Sequence, residues 1–199
     1  MLKRITLLIL VLLSNFLFSI SAFAMNSQEF LDLCAKGSLA EVKKAIANGA
    51  DVNTIDLNPN EGKGIATREY LGQTALMFAL GNKDLAVLTE LIKAGADVNA
   101  TDGWCSTALM YAVQNTGADT AEIKELIKAG ANVNAVDCQG GGTALTWAAY
   151  WNKEPDIIIE LLKAGADINH KGEGQTALEI AKERNHTKIV ELLIKAGAK

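Results

Sequence analysis

The sequence predicts an all-α repeat solenoid, a stack of about five helix–turn–helix–loop units, on three observations. The phrase Gly49-Ala50-Asp51-Val52-Asn53 returns as Gly95-Ala96-Asp97-Val98-Asn99, Gly130-Ala131-Asn132-Val133-Asn134 and Gly165-Ala166-Asp167-Ile168-Asn169, and a fifth copy begins at Gly197-Ala198. A second phrase opens four units, as Thr74-Ala75-Leu76, Thr107-Ala108-Leu109, Thr143-Ala144-Leu145 and Thr176-Ala177-Leu178. The steps between those threonines are 33, 36 and 33 residues, a period that marks a stacked array and not a single globular core.

The first 24 residues stand outside the repeat. Lys3 and Arg4 precede an apolar run from Ile5 through Leu13 and on to Phe18, and small residues close with Ala22-Phe23-Ala24. That layout predicts a signal peptide at 1–24, cleaved after Ala24. The uninterrupted apolar run is shorter than the roughly 20 residues a spanning helix needs, so no stable membrane anchor is expected after cleavage. The expected location is the periplasm or outside the cell, and the short simple signal suits a bacterial source. With Lys3 and Arg4 removed, 17 basic against 23 acidic side chains remain, a net charge of −6. A nucleic-acid partner needs a basic stripe and is not expected.

The repeat domain is expected over 25–199, as units near 26–56, 71–102, 103–137, 138–171 and 172–199. Within a unit, Thr74 sits where a helix N-cap is wanted, and apolar residues follow at helical spacing. Gly81 to Asp84 breaks the pattern. Leu85, Val87, Leu88, Leu91 and Ile92 form a second helix, which Gly95 ends by taking positive φ. Asp51, Asp97 and Asp167 recur with the period, so they read as turn formers. Unit one lacks the threonine phrase and begins at Ser27-Gln28-Glu29-Phe30. Unit five carries Lys182, Glu183, Arg184, Lys188, Glu191 and Lys195, the polar outer face a terminal repeat needs.

Two irregularities stand out. Asp51 to Thr74 spans 23 residues where Asp97 to Thr107 spans 10, so thirteen residues are inserted within 54–71. That insert is rich in turn formers and predicts a long exposed loop. The third unit has two extra residues around 115–119, and Gly140-Gly141-Gly142 reads as a flexible loop absorbing a one-residue insertion.

The pattern resembles the ankyrin repeat family. Thr143-Ala144-Leu145-Thr146-Trp147-Ala148-Ala149 and Ala164-Gly165-Ala166-Asp167-Ile168-Asn169 carry the likeness, which covers the whole of 25–199. Alanine stands for the family's proline at Ala75, Ala108, Ala144 and Ala177. Met77, Met110, Thr146 and Glu179 stand for its histidine, which in the family bridges to neighbouring loops. Inter-repeat hydrogen bonding is therefore in question for this chain.

Chemistry is scarce. His170 and His186 lie in different units, and no Cys or His pair has metal-ligand spacing. No nucleophile elbow, P-loop or dinucleotide fingerprint occurs, so neither a cofactor nor an enzyme activity is expected. Cys34 reads as buried and unpaired. Cys105 and Cys138 fall in neighbouring loops that stacking brings towards each other, but at different places in those loops. A disulfide needs Cα atoms within about 7 Å, and two partly buried thiols are the favoured reading. Asn99-Ala100-Thr101 and Asn185-His186-Thr187 are glycosylation sequons, which matter only in a eukaryotic source.

The resemblance implies a monomeric protein-binding module that engages a protein partner through loop tips and first-helix ends. Carried over residue by residue, those positions are Tyr70, Leu71, Gln73, Trp104, Ser106, Tyr150, Trp151 and Glu173, with Gln114, Gln139 and Gln175 beside them. Trp and Tyr dominate binding hot spots, whereas Trp147 falls at a core position and is assigned to packing. Two sharper expectations are an inhibitor or immunity protein neutralising a toxic envelope enzyme, and an accessory protein in envelope oxidative-stress defence.

Overall fold

The computed structural model describes residues 25–57, 72–114, 120–152 and 155–199. The signal-peptide segment, most of the inserted loop with Tyr70 and Leu71, and residues 115–119 lie outside the described residues. Among the described residues five helix pairs follow in order: α1 (Ser27–Lys36) with α2 (Leu39–Ala47), α3 (Ala75–Ala79) with α4 (Leu85–Lys93), and α5 (Ala108–Gln114) with α6 (Thr120–Lys128). Then come α7 (Ala144–Trp151) with α8 (Asp156–Lys163), and α9 (Ala177–Glu183) with α10 (Thr187–Lys195). The first helices stack as α1, α3, α5, α7 and α9, and α2, α4, α6 and α8 pack in a parallel layer. The described strand is confined to one hairpin, β1 (Lys171–Gly172) against β2 (Gln175–Thr176).

The threonine phrase works as its chemistry requires. Thr74, Thr107, Thr143 and Thr176 each accept through Oγ1 the backbone N–H three residues on, at 3.2–3.4 Å. Two of the residues at the family's histidine position close the cap from the other side with an oxygen. Glu179 Oε2 accepts from Thr176 N at 2.7 Å and Thr146 Oγ1 from Thr143 N at 2.8 Å. In the first unit Asn26 with Glu29 and Ser38 with Glu41 make the same reciprocal pair. Each such cap is worth about 1 kcal/mol because it satisfies donors the helix itself leaves open.

The glycine phrase terminates the second helices. Gly95 takes φ +94°. Its N–H donates to Ile92 O while Ala96 N donates to Leu91 O. That pair of bonds is a Schellman closure, which needs a residue free to enter the left-handed region. The same two bonds recur at Gly49, Gly130, Gly165 and Gly197.

The question of inter-repeat hydrogen bonding resolves on the last residue of that phrase. Asn99 Nδ2 donates to Gly130 O at 3.1 Å and its Oδ1 accepts from Asn132 N at 2.7 Å. Asn53 does the same to Gly95 O and Asp97 N, and Asn134 to Gly165 O and Asp167 N. Asn169 continues with Lys199 N at 3.0 Å. One amide thus bridges each unit to the next, doing the job expected of a histidine. The phrase aspartates are the turn formers expected: Asp51, Asp97 and Asp167 each accept the N–H two residues on.

A second line of bridges runs along the first-helix ends. Asn82 donates to Cys34 O and Gly37 O, Asn152 to Val113 O at 2.7 Å, and His186 Nδ1 to Ala149 O at 3.0 Å. These bonds bury polar groups only where an acceptor waits, which keeps the desolvation cost small. Leu76, Leu109, Leu145 and Leu178 fill the core between layers. Ala79, Ala112, Ala148 and Ala181, all buried, let neighbouring first helices approach closely. Cys34 is buried and free, and its surroundings push the thiol pKa up to about 12. Lys182, Glu183, Arg184, Lys188, Glu191 and Lys195 of unit five are exposed.

Candidate functional site

Asp102 and Asp137 open the loops before α5 and α7, and both are buried. Each divides its two oxygens between the loop and the helix that follows. Asp102 Oδ1 accepts from Trp104 N and Ser106 N at 2.9 and 2.8 Å, and its Oδ2 from Tyr111 Oη at 2.5 Å. Asp137 Oδ1 accepts from Gln139 N and Gly140 N at 2.9 and 2.8 Å, and its Oδ2 from Trp147 Nε1 at 2.8 Å. Charge-assisted bonds of this kind are about twice as strong as neutral ones. They fix the loop tips and turn one aromatic ring of each helix towards the loops.

The two tips are also joined to each other. Cys105 and Cys138 form a disulfide with Cα atoms 5.3 Å apart, which corrects the expectation of two free thiols. Their unlike loop positions are reconciled by Cys105, which adopts φ +59° and so turns its side chain towards the next unit. The backbone bond from Cys138 N to Trp104 O, 2.8 Å, holds the same two tips in register.

The glycine cluster is packed where a flexible loop was expected. A Cβ on Gly142 would fall 2.6 Å from Asp137 Oδ2 and 2.8 Å from Trp147 Nε1, and one on Gly172 would fall 2.8 Å from Gly142 Cα. Only bare backbone fits between these neighbours. Gly140 carries Glu173 across its open face, since a Cβ there would meet Glu173 Cγ at 2.2 Å. Gly140 O accepts from Glu173 N at 2.6 Å, and Gly141 O accepts from His170 Nε2 at 2.7 Å. Glu173 and Gly174 make the two-residue hairpin turn between β1 and β2, both with positive φ, +50° and +81°. That is the hand a tight hairpin requires.

Together these elements enclose a groove of about 600 Å³ across units three to five. Of the expected binding residues, Trp104, Ser106, Tyr150, Trp151 and Glu173 line it. Gln73 does not; its carbonyl accepts from Asp56 N instead. Gln114, Gln139 and Gln175 also face the groove. Trp147 and Tyr111 were not among the expected binding residues, yet both line it. Trp147 packs against the core as expected and presents its ring to the groove as well. The signal was present in the spacing from a loop aspartate to an aromatic nine or ten residues on, but it acquires meaning only once the loop folds back on the helix.

The aromatic wall has internal order. Tyr150 and Trp151 meet edge to face, centroids 4.8 Å apart, and each is 42 % exposed. The guanidinium of Arg184 lies 3.3 Å above the Tyr150 ring. Trp104 Nε1 is buried with no acceptor among the described residues. Among the described residues no group of three His, Cys, Asp or Glu side chains could hold a metal ion, and no helix is long and apolar enough to cross a membrane.

The family model described as ankyrin repeats (3 copies) matches residues 30–137, 81–172 and 109–199. The chain belongs to the ankyrin-repeat family. A search of curated proteins returns no match. Ankyrin repeats in general are protein-interaction modules, typically non-catalytic, and the groove of this ankyrin-repeat chain lies where its loop tips meet its first-helix ends.

Proposed function

We propose that this chain is a non-catalytic binding module, exported from the cytoplasm, that holds a protein partner in the groove of units three to five. The observation that carries the reading is the groove's wall. Five aromatic rings stand on a base stiffened by two buried aspartates and a disulfide. Preorganised aromatics lose little freedom on binding and so dominate interface energetics. The disulfide supports export, because such bonds persist in oxidising compartments, and it agrees with the signal-like pattern at 1–24.

Affinity capture from the envelope fraction, followed by mass spectrometry, tests the reading. Trp104→Ala and Trp151→Ala should abolish capture of the specific partner while the helical circular dichroism is retained. Undiminished capture by both folded variants would rule the groove out.

A further inference from the structure

The groove's chemistry is one-sided. Among the described residues its lining includes two acids, Asp137 and Glu173, and neither a lysine nor an arginine, beside five aromatic rings. Asp137 is engaged on both oxygens. Glu173 is not: its carboxylate is exposed and has no hydrogen bond or ion pair among the described residues. The residue is nevertheless held in place by the bond from its N–H to Gly140 O and by the slot over Gly140. Its φ of +50° is the one the tight hairpin turn requires, so the backbone beneath the carboxylate is fixed.

Ring faces attract cations through their quadrupole, and arginine is the commonest protein cation in that role. The chain itself shows the pairing at the groove's edge, where Arg184 stacks on Tyr150. Among the described residues the other four rings, Trp104, Tyr111, Trp147 and Trp151, show no such stacked cation.

We propose that the groove takes a basic segment of the partner, with an arginine side chain laid against the aromatic wall and its guanidinium paired with Glu173. This rests on the binding function proposed above and names the partner's chemistry. The cavity's volume lies within the range of about 300–1,000 Å³ seen for ligand sites, so it admits several residues. Specificity comes from charge: an acidic segment would meet the exposed carboxylate of Glu173.

All three tryptophans of the chain line the groove, so intrinsic fluorescence reads it directly. A capped Gly-Arg-Gly-Arg-Gly peptide titrated into the full chain should give a saturable change that weakens with added salt. The same peptide with citrulline for arginine, equal in shape and uncharged, should give none. Glu173→Gln should weaken arginine-peptide binding by about three- to fivefold, the value of a partly exposed ion pair. Trp151→Ala should weaken it by about fivefold. Circular dichroism of each variant confirms that the array stays folded.

Equal binding of the citrulline peptide overturns the proposal, as does the lack of any saturable change with the arginine peptide. Equal binding of tetramethylammonium would place a small ammonium ligand in the groove and overturns it too. A captured partner whose cross-linked segment holds no basic residue overturns the basic-segment proposal but leaves the binding function standing. Capture insensitive to both tryptophan variants removes both readings.

Discussion

Trp147 donates its indole N–H to Asp137 at 2.8 Å, and that one bond ties the loop before α7 to the helix that follows it. Gly142 leaves the room for it, since any side chain there would enter the space between the two partners. Trp147→Phe keeps an aromatic ring, though a smaller one, and removes the donor, leaving a buried carboxylate oxygen without its partner. A loss of about 1–3 kcal/mol in urea unfolding is expected. Gly142→Ala should cost a similar amount, about 1–3 kcal/mol, through steric displacement, and should shift the tryptophan emission. Wild-type stability in both variants would show that the loop is not held this way.

The disulfide closes a loop with a sequence separation of 33 residues. Loop-closure entropy then gives a stabilisation of about 3–4 kcal/mol, lost on reduction or in the Cys105→Ser/Cys138→Ser double variant. Thiol counting gives a sharper check. Cys34 is free but buried, with its pKa raised to about 12, so the native chain should not react with a thiol reagent at pH 8. In denaturant without reductant one thiol should react per chain, and after reduction three. Three in the absence of reductant would refute the disulfide.

Asn99 and Asn134 each bridge two units through both ends of one amide. Asn134→Ala removes two partly solvated bonds, so about 1–2 kcal/mol is expected. In a linear array, coupling between neighbours sets cooperativity. The variant should therefore also broaden the denaturant transition and lower its m-value, whereas truncation of exposed Lys83 should leave both unchanged.

The caps introduce a pH dependence. The backbone and hydroxyl of Ser38 hydrogen-bond to the Glu41 carboxylate and lower its pKa. The Thr176 backbone and then its hydroxyl do the same for Glu179. A carboxylate held below its unfolded value stabilises the fold fully above that value, and its contribution fades as pH drops through the lowered one. Thermal stability should therefore fall as pH descends through and below the ordinary carboxylate range. The fall should be shallower in Glu41→Gln/Glu179→Gln, measured from melting curves between pH 7 and pH 3.

Much of the scaffold was legible because the repeat states it several times over. Thr74 and its counterparts announce N-caps, and Gly95 and its counterparts announce positive-φ terminators. Both effects are local, acting within one helical turn. The same period identified Asp51, Asp97 and Asp167 as turn residues and so removed them from the search for chemistry. The groove was legible only in part. Trp104, Ser106, Tyr150, Trp151 and Glu173 followed from position in the unit, but Trp147 did not, because an aromatic on a helix looks alike whether it fills a core or a wall. Asn99 was visible as part of the phrase, yet nothing local says that its amide reaches the next unit.

What the sequence by itself determined is the unit: where each helix starts and stops, which face is apolar, and that units stack. Those are short-range consequences of hydrogen-bond capping and hydrophobic periodicity. What only the tertiary structure decided is how neighbouring loops meet. Stacking brings Cys105 within 5.3 Å of Cys138, counted between Cα atoms, although their places in the two loops argued against it. It also lays Glu173 over Gly140. These contacts depend on the close approach of one unit to the next, which buried alanines and bare glycine backbone permit and which no single repeat encodes.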